Sequence, residues 1–188
     1  MANVPALIRH QGYARVLIAA VAACVFLIAS HAQAQIKPFV GKYSGSAELV
    51  MSDGEVRGRD LSVVIEETRK GFSVTWATIT FKPDGRVDVK SYDIDFVPGP
   101  REGLYAAAQK KDLFGKDVQL DPMKGEPYVW GQLTDDTLTV YSLFVDPVGG
   151  YVMQQYDRTL TEGGLALEFN SVRNGEKQRT VSAFLKRE

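Results

Sequence analysis

The sequence predicts an all-β protein, an up-and-down antiparallel β-barrel of eight to ten strands with little helix apart from an N-terminal leader. Three observations predict it. Apolar residues recur with period two over short runs, the pattern of half-buried strands. Turn signals separate these runs at intervals of about 8–12 residues, as in an antiparallel meander. After Pro127 nearly every connection is a short hairpin between sequence neighbours. A sandwich usually needs Greek-key crossovers, whereas an up-and-down barrel does not and leaves no exposed edge.

Residues 1–34 read as a signal peptide. Arg9 and Arg15 supply a basic start, an apolar run extends from Val16 to Ile28, and Ala32 and Ala34 fit the small pockets of a signal peptidase. Cleavage is expected after Ala34. The run of 13 residues is shorter than the ~20 a spanning helix needs. No second long apolar run follows, so the mature chain is expected to have no transmembrane span and to be periplasmic or secreted. Val21-Ala22-Ala23-Cys24 loosely resembles a lipoprotein box, but Val25-Phe26-Leu27-Ile28 continues the apolar run past the cysteine, so a lipid anchor at Cys24 is not expected. Charge on several candidate outer strand faces argues against a membrane-embedded barrel.

Residues 35–188 form one domain with no linker or low-complexity tract. Its turn signals are Ser52-Asp53-Gly54, Arg69-Lys70-Gly71, Pro83-Asp84-Gly85, Thr134-Asp135-Asp136, Pro147-Val148-Gly149-Gly150, Glu162-Gly163-Gly164 and Asn174-Gly175. The last is the firmest hairpin, because Asn and Gly tolerate the positive φ of a tight turn. Between them, Leu61, Val63 and Ile65 share one strand face. From Gly71 to Phe81 the apolar face starts with Phe72, Val74 and Trp76 and ends with Ile79 and Phe81, a change of phase that suggests a bulge or strong bend. Pro98 and Pro100 bar a long element there, Leu104–Ala108 suits a short helix or a strand, and Gly115, Pro122 and Pro127 suggest a long loop. Leu138, Val140 and Phe144 alternate with polar residues, although Tyr141 and Leu143 make the second face partly apolar. Leu165, Leu167 and Phe169, then Val181, Ala183 and Leu185, give the last two strands.

Removing the leader leaves 20 basic and 23 acidic residues and takes away both histidines, His10 and His31, and the only cysteine, Cys24. A domain without His or Cys has no Ser–His–Asp or Cys–His machinery, no His-ligated metal or haem and no disulfide. No cofactor motif is present, and the expectation is a protein that is not an enzyme. A weakly acidic chain without a basic tract also gives no reason to expect nucleic acid as a partner.

The opening Phe39-Val40-Gly41-Lys42-Tyr43-Ser44-Gly45 resembles the Gly-x-Trp start of the lipocalins and their calycin relatives, with Tyr43 where Trp is usual. Those proteins pack a basic residue of the last strand over that aromatic, and Arg179 and Lys186 are the candidate counterparts in this chain. The resemblance implies a barrel that binds a small hydrophobic or amphipathic ligand. The chain is also similar to small exported bacterial proteins that bring no activity with them.

The candidate ligand-binding residues are Arg158, Tyr156, Gln154, Trp76, Trp130 and Tyr141. If Val152, Tyr156 and Leu160 face the interior, alternation brings Gln154 and Arg158 in with them. There a guanidinium could hold a carboxylate bidentately, as in the small barrels that bind fatty acids, which this run resembles. The competing reading is an exposed Arg158 paired with a surface acid. The aromatics, with Tyr92 and Tyr128, suit a pocket wall as well as plain core. Asp93 and Asp95, with Glu66 and Glu67, read as a solvated face rather than a metal or glycosidase site. The function expected is therefore an exported binding protein for a small ligand. The alternative is an envelope-maintenance or protein-interaction factor with a solid barrel.

Overall fold

A computed structural model of the protein describes residues 35–50, 56–108 and 120–188. The leader, with the cleavage site at Ala34 and Cys24, and the turn signal Ser52-Asp53-Gly54 lie outside the described residues. Ten antiparallel strands close into a barrel: β1 Gly41–Val50, β2 Val56–Glu67, β3 Phe72–Phe81, β4 Val87–Pro98, β5 Leu104–Ala108, β6 Tyr128–Thr134, β7 Thr137–Val145, β8 Tyr151–Thr161, β9 Gly164–Arg173 and β10 Glu176–Arg187. Each pairs with its sequence neighbour, and β1 pairs with β10. Helix among the described residues is confined to short turns, chiefly at Lys37–Phe39 and Pro122–Lys124. Leu104–Ala108, open between helix and strand, is a strand.

The tight turns fall where Gly, Asn and Asp permit them. Asn174 and Gly175 both take positive φ, 50° and 85°, which a two-residue hairpin between β9 and β10 requires. In the longer β7–β8 turn the Asp146 carboxylate accepts from the backbone N–H groups of Val148 and Gly150, fixing the loop before Gly149 turns the chain at φ 85°.

One end of the barrel is filled. Phe72 stacks on Phe96 at 5.1 Å and meets Tyr105 edge-on at 4.9 Å, and Ile65, Leu133, Leu138, Leu165 and Leu185 complete the packing. Ile36 and Phe39, in and beside the first helical turn, are buried in the same cluster and plug this end. Tyr43 is buried there too, its hydroxyl donating to the Phe39 carbonyl at 2.7 Å. The basic residue over its ring is Arg187, 5.1 Å from the ring centre and hydrogen-bonded to the Tyr43 hydroxyl and the Pro38 carbonyl. It is neither of the two counterparts read from the sequence. Arg179 belongs to the other end, and Lys186 pairs with Ser44 one position off the Tyr43–Arg187 pair.

The other end is hollow, and this explains the change of phase in β3. No bulge interrupts that strand: its register is continuous from Phe72 to Thr80 with β2 and from Phe72 to Phe81 with β4. Phe72, Val74 and Trp76 face the filled half, whereas the next inward residues are Thr78 and Thr80, which line a polar cavity. Ile79 and Phe81 are apolar on the outside of the wall, Phe81 being 45% exposed. The lining changed, not the backbone. Among the described pairings an irregularity does fall in β10, between Lys177 and Arg179.

Candidate functional site

Strand β8 builds the centre of the site. Val152, Gln154, Tyr156 and Arg158 alternate inward along it, in register with Phe144, Ser142, Val140 and Leu138 of β7. Arg158 is only 1% exposed. It sits where the filled half ends, flanked across the sheet by Leu138 and Leu167. Its guanidinium carbon lies 5.2 Å from the centre of the Trp76 ring and 5.6 Å from that of Tyr156. Nε and Nη1 are buried without a hydrogen-bond acceptor among the described residues. The neighbouring carboxylate, Asp157, is on the opposite strand face, where it accepts from Thr139 and Gln155.

Ring faces attract a cation but accept no in-plane hydrogen bond, so Arg158 is a desolvated charge with part of its donor fork unused. Burial lowers its pKa to about 10, against opposing contributions from Tyr156 and Asp157. It is still a cation at neutral pH. Burial pushes Tyr156 up to about 12, so its phenol is neutral there. The Tyr156 hydroxyl donates to Gln154 at 3.2 Å.

An aromatic belt crosses the hollow half. Tyr92 stacks on Trp76 at 5.0 Å, Trp76 meets Tyr156 at 5.5 Å, and Tyr156 meets Phe169 at 4.7 Å. Trp76, Tyr92, Gln154 and Tyr156 are shared by two cavities. The larger, about 440 Å³, has a mostly apolar wall that includes Ile94, Val129, Val140, Phe144 and Val152. The smaller, about 200 Å³, holds Arg158 and has a mixed wall in which Arg57, Arg59, Arg179, Lys82 and Lys90 stand among apolar and neutral polar side chains. The larger cavity falls within the range of ~300–1,000 Å³ usual for small-ligand sites. Beside it, β5 pairs with β4 only over Asp95–Pro98, so Val87–Ile94 has a described strand neighbour on the β3 side alone.

Of the six residues proposed from the sequence, Arg158, Tyr156, Gln154 and Trp76 converge on this interior. Trp130 and Tyr141 do not. Their chain neighbours Val129 and Val140 point into the larger cavity, so alternation turns these two rings outward, where they stack on each other at 4.8 Å. Tyr92 and Phe169 complete the belt, and Arg57, Arg59 and Arg179 line the basic cavity. These three arginines stand on β2 and β10, far apart in sequence and with no local motif, and only the barrel register gathers them.

Among the described residues no group of three or more His, Cys, Asp or Glu could hold a metal ion, and no helix is long and apolar enough to cross a membrane. No protein-family model and no curated protein matches the chain. A solved structure with some similarity is that of a protein provisionally designated AttH, from Nitrosomonas europaea, at 15% identity and a TM-score of 0.28. The match covers 78% of this chain and 49% of that one, so the chain spans about half the length of that protein.

Proposed function

We propose that this chain is an exported, lipocalin-like carrier for a small amphipathic ligand whose acidic group pairs with Arg158. One observation carries the reading: a fully buried guanidinium, walled by Trp76 and Tyr156, with two nitrogens unmatched by any described acceptor, at the floor of a cavity. A carboxylate there would meet a fork of matching geometry at low dielectric, and the apolar cavity across the aromatic belt would take the rest of the molecule. The packing of Arg187 on Tyr43 supports the lipocalin-like part, because the family places a basic residue of its last strand over the first-strand aromatic. The signal-peptide pattern of residues 1–34 supports export.

Native mass spectrometry of freshly purified protein tests this reading. An acidic small molecule is expected to travel with the wild type and to be lost from Arg158→Met. A ligand retained equally by both proteins would remove Arg158 from the site.

A further inference from the structure

The smaller cavity holds more positive charge than one carboxylate would use. Among the described residues six basic side chains line it, Arg158 at the floor and Arg57, Arg59, Arg179, Lys82 and Lys90 above, with Asp88 as the acidic one. Arg59 is four residues along β2 from Val63, which pairs with Trp76, so its backbone stands about 13 Å further along the strand toward the open end. Arg57, Arg59 and Arg179 line the same cavity as Arg158 but reach it from β2 and β10 rather than from β8. Arg59 Nε is buried without a described acceptor. Burial lowers the Arg59 pKa, the charges of Arg179 and Arg57 lower it further, and Asp88 opposes them. For the partly buried Arg59 this is an electrostatic cost that a bound anion would offset.

We infer that Arg57, Arg59 and Arg179 form a second anion subsite at the mouth of the cavity, so that the ligand's head group carries at least two negative charges, as a phosphate ester or diphosphate does. The inference rests on the carrier reading for its amphipathic ligand, but the subsite itself stands on the mouth cluster. A tetrahedral oxyanion presents several acceptors at once and suits arginines converging from two strands. Lys82 and Lys90 add positive potential around it. The same chemistry is offered by a lipid head group and by free diphosphate, and the two are separated by the presence of a tail.

The test is a calorimetric titration of the purified protein at low ionic strength and pH 8 with three probes: dodecanoate, dodecyl phosphate and inorganic pyrophosphate. At that pH the phosphate monoester is close to doubly charged. The wild type is expected to bind dodecyl phosphate about tenfold or more tightly than dodecanoate, the effect of one further charge-assisted hydrogen bond. Arg59→Gln combined with Arg179→Gln removes that preference, the loss of affinity being larger for dodecyl phosphate than for dodecanoate. Equal affinity for the two amphiphiles in the wild type, or a preference that survives the double substitution, overturns the mouth subsite and leaves the carrier reading intact. Pyrophosphate binding that depends on Arg59 and Arg179 while neither amphiphile binds supports the subsite and overturns the carrier. Binding of none of the three overturns both.

Discussion

The Arg158 guanidinium carbon lies 5.2 Å from the centre of the Trp76 ring, at the level where the barrel changes from packed to hollow. A ring face replaces the acceptor that a buried arginine ordinarily has. The consequence is a site that is electrostatically costly when empty and selective for an anion when filled.

Arg158→Met therefore raises stability while removing anion binding. Replacing a poorly paired buried charge by an apolar side chain of similar length is expected to add roughly 1–3 kcal/mol. Urea denaturation at pH 7 reads it as a higher midpoint at constant slope. A lower midpoint would mean that the rings and the unpaired fork stabilise the fold as they stand.

Alkaline titration separates Tyr156 from Arg158 by sign. The Tyr156 phenol is raised to about 12 in the folded protein from an ordinary 10.0, so its contribution is complete below pH 10 and is lost as pH rises through 12. Burial lowers the Arg158 guanidinium to about 10, well below the ordinary arginine range. Above pH 10 the unfolded chain holds that proton more tightly than the folded one, so this group favours folding increasingly as pH rises. Stability measured from pH 9 to 11 is expected to fall less steeply in Tyr156→Phe than in the wild type, and more steeply in Arg158→Met. Parallel curves for all three proteins would contradict both assignments.

The two tryptophans report from opposite sides of the wall. In Trp130→Phe the remaining Trp76 is expected to change its emission on titration with dodecanoate, and affinity is retained. In Trp76→Phe the remaining Trp130, stacked outside on Tyr141, is expected to stay silent. A response from Trp130 of the same size would place ligand on the outer face.

At the filled end, Arg187 and Tyr43 are expected to be coupled. The Tyr43 hydroxyl accepts from Arg187 and donates to the Phe39 carbonyl, so Tyr43→Phe should cost about 1–2 kcal/mol and Arg187→Ala a similar amount. A double-mutant cycle should return a coupling of about 0.5–2 kcal/mol, and additive losses would show that the two groups stabilise the plug separately.

The barrel was legible because its hairpins declare themselves locally: Asn174-Gly175 needs positive φ, and β9 alternates cleanly through Leu165, Leu167 and Phe169. The heart of the site was legible for the same reason, since alternation from Tyr156 carries Gln154 and Arg158 to one face. Alternation failed where both faces of a strand are apolar. Trp130 and Tyr141 lie on β6 and β7 beside inward Val129 and Val140, and hydrophobicity cannot say which side is in. It misled again in β3, where threonines facing a polar cavity imitate a slipped register. The mouth arginines were illegible because no local pattern marks them, and strand pairing alone brings Arg59 of β2 and Arg179 of β10 to one cavity.

The most direct measurement is a calorimetric titration of the wild type and Arg158→Gln with dodecanoate at neutral pH, after both proteins are shown to be folded. Saturable one-to-one binding that weakens at least about tenfold in the variant is the predicted result, the loss of one charge-assisted pair. Equal affinity in the two proteins would contradict an anion-binding role for Arg158 and, with it, the carrier built around that side chain.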